Sequence, residues 1–533
     1  MRRLRAQKAA VEGTGGGLIG RYRLPALIAA ALTALGFAIR LRAAGESVFA
    51  DELATYWIVS AHDLRGVLSI VHTDAEITPP LSFVLSWLTT RINLTPELLR
   101  APALLAGTAA IPVTYLLGLR TVGRGTALVA TALTAFAPFM IYYSAEARGY
   151  GIAILLVMLS TLAMLAALDS GRTRWWVAYA ACTCAAVYTH YTTVFPLAAQ
   201  LAWLLWSQPG ARRPALVATA GAIVFFLPWT SGLVGDFTSP TTAILAALSP
   251  FTPNAIRVAL EHWSIGYPYS VVPLREIPGV VGLILLALSV SGAAAAVLLS
   301  RPRGGLVARL ARVDRRVLLV VALALSAPVG EALVSAAGTN LFGTRNLAVS
   351  WPGFALVLAM LLVAAGPRLR FTLAVLAIAS FGIGAARMLE TRFQRPDYQG
   401  IAGLIEREAA PGDVVIEGAL LTPGPLTGMD AALDEPVRVF RAGKPEQRDH
   451  PFTVFDPVPP IAEVTRRAVA VAAGGRIFVV SSAILDDGGA VKPDPLAEEV
   501  IRALPAGYRP VAERSYAGFL RLGVWVYAPS PPG

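Results

Sequence analysis

The chain has 533 residues, 55% of them hydrophobic and 15% charged, with mean hydropathy +0.60 and a formal net charge of +11. A soluble enzyme carries nearer a quarter charged residues, so this composition excludes one. The apolar runs are continuous and do not alternate, which excludes a porin-type barrel and leaves a polytopic α-helical membrane protein. The basic surplus falls in clusters between apolar runs, which is a topology signal and predicts no nucleic-acid partner.

Residues 1–23 are basic and Gly-rich and read as a cytoplasmic tail. The apolar run that follows is too long for a signal-peptide core. Arg far outnumbers Lys, which stands only at Lys8, Lys444 and Lys492; with abundant Ala and Gly, this points to a GC-rich bacterial genome and a bacterial inner membrane. Apolar segments near 24–43, 101–119, 126–143, 150–168, 175–190, 192–206, 214–232, 277–299, 317–336, 347–366 and 371–388 predict about eleven spans. The run 79–92 is short for a span. Counting it as re-entrant or interfacial keeps the Arg2–Arg23 group, Arg120, Arg124, Arg172, Arg174, Arg212, Arg213, the Arg301–Arg316 group, Arg368 and Arg370 on one side, the cytoplasmic signature. Counting it as a full span throws Arg120 and everything after it to the opposite face and breaks that rule; as a re-entrant or interfacial helix it can bring the total to twelve or thirteen helices. Pro79-Pro80 suits a helix start there. Cys182 and Cys184 lie two apart in an apolar helix and point to different faces, so neither a disulfide nor a metal pair is expected.

The opposite side then receives a first loop over 44–100, turns near Glu146 and His190, a loop over 233–276, and everything after 394. The membrane part is expected over 24–390 and a small extracytoplasmic α/β domain over 394–533. Asp413-Val414-Val415-Ile416, Arg476-Ile477-Phe478-Val479-Val480 and Val524-Trp525-Val526-Tyr527 read as buried strands, Ile401 to Ala409 as a helix ended by Pro411-Gly412, and 451–460 as a loop.

That side collects the polar residues that need a reason. Asp51-Glu52 follows the first span; charge beside hydrocarbon is costly and marks function. Asp74 and Glu76 precede Pro79-Pro80. Glu146 and Arg148 stand in Tyr142-Tyr143-Ser144-Ala145-Glu146-Ala147-Arg148-Gly149-Tyr150, His190 in Thr189-His190-Tyr191, and Arg345 opens a late span. Asp74, Glu76, Glu261 and His262 also have a plain reading as solvated loop residues. A site on that face has no nucleotide sugar at hand, so an activated donor there is carried by lipid. An acceptor hydroxyl needs a base, which a carboxylate supplies, and a departing lipid phosphate needs a cation. Arg345 is the first candidate for that cation and Arg148 the second. Tyr150, His190 and Tyr191, with Glu76 and Glu146, are candidates for the sugar pocket. Asp51, Glu52 and Glu146 could supply oxygen ligands to a divalent metal; no cofactor is otherwise indicated.

In these motifs and their order the chain resembles the GT-C fold glycosyltransferases that use polyprenyl-phosphate sugars. Within them it resembles the family-39 group of protein O-mannosyltransferases, aminoarabinose transferases and RgtA/B/C/D-like enzymes. The matches are Asp51-Glu52, Pro79-Pro80-Leu81, the Tyr142–Tyr150 run, Thr189-His190-Tyr191 and Arg345-Asn346-Leu347; Thr78, Ala145 and Gly149 depart from the usual residues. The resemblance implies that Asp51 is the catalytic base with Glu52 in support. It implies an inverting transfer of one sugar from polyprenyl phosphate to a glycan, lipid or protein acceptor of the cell envelope. Rival readings are a transporter or flippase for lipid-linked sugars, which would show inverted repeats and broken spans, and a non-enzymatic envelope scaffold.

Overall fold

In hydrocarbon every backbone N–H and C=O must pair within its own segment, so the long apolar runs become helices. The computed structural model describes residues 15–73, 76–239, 242, 250–299, 314–418, 425–434, 437–443, 459–485 and 491–530, with side chains from Arg23 onward. In chain order the helices are α1 (Gly15–Ala44), α2 (Asp51–Ala61), α3 (Leu64–Val71), α4 (Leu81–Thr90), α5 (Pro96–Thr121), α6 (Arg124–Phe136), α7 (Pro138–Ser144), α8 (Tyr150–Ser170), α9 (Thr173–Val187) and α10 (Val194–Ser207). They continue with α11 (Arg212–Phe226), α12 (Thr230–Thr238), α13 (Pro253–Ile265), α14 (Val280–Leu299), α15 (Arg315–Ala336), α16 (Trp351–Ala364) and α17 (Arg370–Met388).

All eleven expected apolar segments fall on helices. Among the described residues eight helices are long and apolar enough to cross a bilayer, or nine if the bent pair α6–α7 is one span. Of the other expected spans, α9 and α10 are apolar helices of 15 and 14 residues. The expected span 126–143 is broken by 60° at Ala137-Pro138. Pro138 has no N–H to give the Thr134 carbonyl. Arg40 of α1, wholly buried, takes over: it donates to Thr134 O at 2.9 Å, Ala135 O at 3.0 Å and Ser144 Oγ at 3.1 Å. The run 79–92 becomes the ten-residue α4, too short to span, which packs on α2 and α5. Gly107 lets α7 press onto α5, since a Cβ there would lie 1.9 Å from Ser144 Oγ. Cys182 and Cys184 are free thiols.

At one end of α5 Arg316 binds the Arg120 carbonyl at 3.0 Å and the Asp169 carboxylate, while Arg315 binds the Ser207 carbonyl at 2.8 Å. At the other end of α5 Arg100 meets Glu52. Twenty residues of helix separate Arg100 from Arg120, about 30 Å. Of the groups used for sidedness, Arg2, Arg3, Arg5, Lys8, Arg301, Arg303, Arg309 and Arg312 lie outside the described residues, as do Asp74 and the 451–458 stretch.

Past α17 the chain forms α18 (Tyr398–Glu408), β1 (Val414–Gly418), α19 (Gly428–Ala432), β2 (Arg438–Ala442), α20 (Ile461–Ala472), β3 (Ile477–Leu485), β4 (Val491–Pro493), α21 (Pro495–Arg502), β5 (Tyr508–Tyr516) and β6 (Leu522–Pro529). The sheet order is β2-β1-β3-β6-β5, with β4 beside β3. β1 is parallel to β2 and β3, while β6 is antiparallel to β3 and β5. Strand alternation gives the sheet two apolar faces. Val415, Phe478, Val480, Val524 and Val526 meet α18 on one face; Ile416, Ile477, Val479 and Trp525 meet α20 and α21 on the other. Phe49, from the membrane part, belongs to the first of these clusters. This is the small α/β domain expected from the strand pattern, although β2, β4 and β5 were not foreseen.

Candidate active site

Adjacent residues on a helix point about 100° apart, and the first turn of α2 uses this to send Asp51 and Glu52 to different places. Glu52 is fully buried. Arg100 grips it with two parallel bonds, Nε to Oε1 at 2.7 Å and Nη2 to Oε2 at 2.6 Å, and the Ala147 N–H donates to Oε1 at 2.7 Å. Arg395, from the junction with the α/β domain, lies 3.4 Å from Oε2. Burial alone would raise this carboxyl, but Arg100 and Arg395 hold it below the ordinary value. Arg100 also donates to the carbonyls of Ala44 and Ser47 at 2.8 and 2.9 Å, and Arg395 to Glu46 Oε2 at 3.2 Å and Ala145 O at 3.0 Å. Glu52 therefore fastens α1, α2, α5 and the 145–148 turn together, and its oxygens are committed.

Asp51 instead faces a cavity of about 1490 Å³. Its Oδ2 accepts from Arg345 Nη1 at 2.5 Å, and both side chains are partly exposed, 21% and 40%. Arg345 ends the loop between α15 and α16. Ser335 Oγ fixes that loop by accepting from the Leu341 and Phe342 N–H groups, both at 3.0 Å. Ala50, just before Asp51, has φ 51° and ψ −126°, a conformation that costs a non-glycine residue roughly 1–3 kcal/mol and persists only where the surroundings enforce it.

Glu76, Arg148, Tyr150, His190 and Tyr191 line the same cavity. Arg148 is buried and forms a fork with Glu76, at 2.6 and 2.9 Å, so Glu76 is no solvated loop residue. Thr78 donates to Glu76 Oε1 at 3.0 Å. His190 lies against the Tyr150 ring, 4.9 Å between centroids, with Nδ1 2.9 Å from Thr192 Oγ1. Burial, with Arg148 and Arg345 nearby, pushes its pKa down to about 3, so the imidazole is neutral. Gly149 permits this approach, because a Cβ there would stand 2.8 Å from the Thr189 carbonyl. Tyr191 donates to the buried Asp236 carboxylate and accepts from Trp229 Nε1 at 3.1 Å.

Glu146 does not line the cavity. It is buried near Glu52 and Asp51, with Oε2 lacking a hydrogen-bond partner among the described residues, and burial followed by repulsion from Glu52 raises its pKa to about 8. Its assignment to the substrate pocket is corrected accordingly. The proposed metal trio also fails on chemistry. Glu52 is saturated by arginine, Asp51 is paired with Arg345, and Glu146 is a neutral carboxyl near pH 7; among the described residues no group of three or more His, Cys, Asp or Glu is arranged to hold a metal. Burial corrects the solvation reading of His262 too, whose Nδ1 lies 2.6 Å from the Tyr267 carbonyl, whereas Glu261 is partly exposed, pairs with Arg257 and lines the cavity.

Sequence reasoning missed Arg100, Arg395, Tyr143, Tyr269 and Asp236. Tyr143, Tyr269 and Asp236 line the cavity. Arg100 carried a usable signal, an arginine five residues into a long apolar helix. The cavity also has an apolar arm formed by Val187 of α9, Val194 and Phe195 of α10, Ile223 and Phe226 of α11 and Phe237 of α12. Val194, Ile223 and Phe237 are about half exposed, so the arm opens sideways towards the lipid-facing surface of the bundle.

Residues 78–231 match the family model of dolichyl-phosphate-mannose-protein mannosyltransferase. Among solved structures the chain is similar to ArnT from Cupriavidus metallidurans bound to undecaprenyl phosphate, with TM-score 0.56 and 14% identity over 94% of this chain and 97% of that one. Lesser likenesses are to the oligosaccharyltransferase AglB from Archaeoglobus fulgidus, in complex with an inhibitory peptide and a dolichol-phosphate, with TM-score 0.45 and 12% identity over 93% of this chain and 80% of that one. The arabinofuranosyltransferase AftD from Mycobacteria gives TM-score 0.39 and 14% identity over 94% of this chain and 41% of that one. No curated protein sequence matches the chain at a significant level. The likeness to ArnT shows that the chain has the GT-C fold.

Proposed function

We propose that the protein is an inverting glycosyltransferase that moves one sugar from a polyprenyl-phosphate donor to a hydroxyl of an extracytoplasmic glycan, glycolipid or protein. One observation carries this reading: a carboxylate, Asp51, and an arginine, Arg345, share the wall of a cavity whose apolar arm leads to the membrane. In the Asp51–Arg345 pair each masks the other. A donor phosphate offers Arg345 a competing anion, and the planar guanidinium suits phosphate oxygens. Asp51 is then released as base. It takes the acceptor proton while the acceptor oxygen bonds to the anomeric carbon, and the bond from that carbon to the phosphate oxygen breaks on the opposite face. The lipid phosphate leaves with one more negative charge, held by Arg345, and the proton rests on Asp51. Arg148, locked to Glu76, shapes the pocket and adds positive potential.

The polyprenyl tail lies in the apolar arm. The location that fits is a bacterial inner membrane with the N-terminus cytoplasmic and the α/β domain outside, where the donor must be lipid-borne. The test is incubation of the purified protein with a panel of synthetic polyprenyl-phosphate sugars and an acceptor extract. Release of free lipid phosphate from one donor, dependent on acceptor, is expected; no release from any donor under conditions that keep the protein folded contradicts the reading.

A further inference from the structure

The five residues before Asp51 are held from two sides: Arg100 of α5 binds the Ser47 carbonyl and Val48 packs with Leu53 and Phe83, while the α/β domain holds the rest. Phe49 sits in the apolar cluster of Tyr398, Ile401, Ile405, Phe478 and Val526, with Ala50 packed against it. Arg395 binds Glu46 Oε2 through its backbone N–H at 3.0 Å, and the Gln399 N–H binds Ser47 Oγ at 3.0 Å. The turn between β5 and β6 adds a last contact. Phe519 meets Phe49 edge-on, 5.6 Å between centroids, and stacks on Tyr269, a cavity-lining ring, at 5.6 Å and 23°. Its N–H donates to the Gln394 carbonyl at 2.9 Å, which ties the turn to the same junction. One ring thus bridges the segment leading into Asp51 and the wall facing it.

We propose that Phe519 is a positioning residue for Asp51, and that the α/β domain acts as the clamp that sets the base against the cavity. This rests on the reading of Asp51 as base. Ala50, at positive φ, needs its neighbours to hold it there, and Asp51 is the next residue. Removing the ring lets Ala50 relax and turns the start of α2, and an error of about 1 Å in a catalytic group costs on the order of 100-fold in rate.

The test compares Phe519→Ala and Phe519→Tyr in the full chain, purified in detergent, with Asp51→Asn as control. For Phe519→Ala kcat falls by about 10- to 100-fold while KM for the lipid-linked donor changes by less than about threefold. Phe519→Tyr, which keeps the ring, restores kcat. Hydrogen exchange at the Glu52 and Leu53 amides, bonded to the Phe49 and Ala50 carbonyls at 3.2 and 2.9 Å, quickens in Phe519→Ala only. Unchanged exchange at these amides overturns the clamp, and so does a loss of kcat and donor binding together with a lowered thermal midpoint, which marks mere domain packing. Normal turnover by Asp51→Asn would instead sink the base assignment, and the exchange result would still decide the clamp.

Discussion

Two neighbouring carboxylates have opposite environments here, and the difference lies in what each one's oxygens must do. Glu52 accepts three hydrogen bonds, two from Arg100 and one from the Ala147 N–H, with Arg395 paired at 3.4 Å. Asp51 has one ion-pair partner among the described residues, at a partly exposed position where a substrate anion can compete for it. The pair was legible in the sequence, but the division of labour was not, because Arg100 and Arg345 come from 48 and 294 positions away. Glu146 makes a third case, and its pKa gives a signed prediction. Its folded pKa, about 8, lies above the ordinary 4.5, so the folded protein keeps a proton that the unfolded chain releases. The contribution of this group to stability is full below pH 4.5, falls as pH rises to about 8, and is level beyond. The thermal midpoint of Glu146→Gln in detergent should therefore drop less than that of the wild type between pH 5.5 and pH 8. Parallel drops would show that Glu146 is ionised in the fold.

At the scale of elements, the break between α6 and α7 turns a would-be straight span into a bracket that delivers Glu146, Ala147 and Arg148 to the site. The run 126–143 reads as one span despite Pro138, and the repair by Arg40 was hidden, since α1 reads as an ordinary apolar run. Arg40→Met keeps the length and removes the donors, leaving the Thr134 and Ala135 carbonyls unpaired at membrane depth. At about 1–3 kcal/mol for each group left unsatisfied, the variant should unfold at clearly lower temperature than wild type; an unchanged midpoint would mean that the break satisfies itself. In the α/β domain the three buried strands were legible from apolar runs. β5, Tyr508-Arg509-Pro510-Val511-Ala512-Glu513-Arg514-Ser515-Tyr516, was not: it is a largely exposed edge strand whose polar face carries no alternating apolar signal.

For the whole molecule, the arginine pattern predicts two opposite ends, and Arg100 and Arg120 stand about 30 Å apart along α5. What the pattern could not foretell is that the α/β domain reaches back to the first loop, because Phe49–Phe519 and Glu46–Arg395 are contacts with no local signature. Sidedness is checked by single cysteines in a chain whose Cys182 and Cys184 are changed to Ala. In whole cells a membrane-impermeant thiol reagent should label Arg257→Cys and Glu499→Cys and spare Arg172→Cys, all three being exposed positions. The reverse pattern would turn the protein over and remove the lipid-borne donor argument. The most direct test of the central claim is turnover of polyprenyl-phosphate sugar by Asp51→Asn, whose amide can still accept from Arg345 but cannot take a proton. Release of lipid phosphate should fall by about 10²- to 10⁴-fold with the thermal midpoint unchanged; turnover near the wild-type rate would contradict the account.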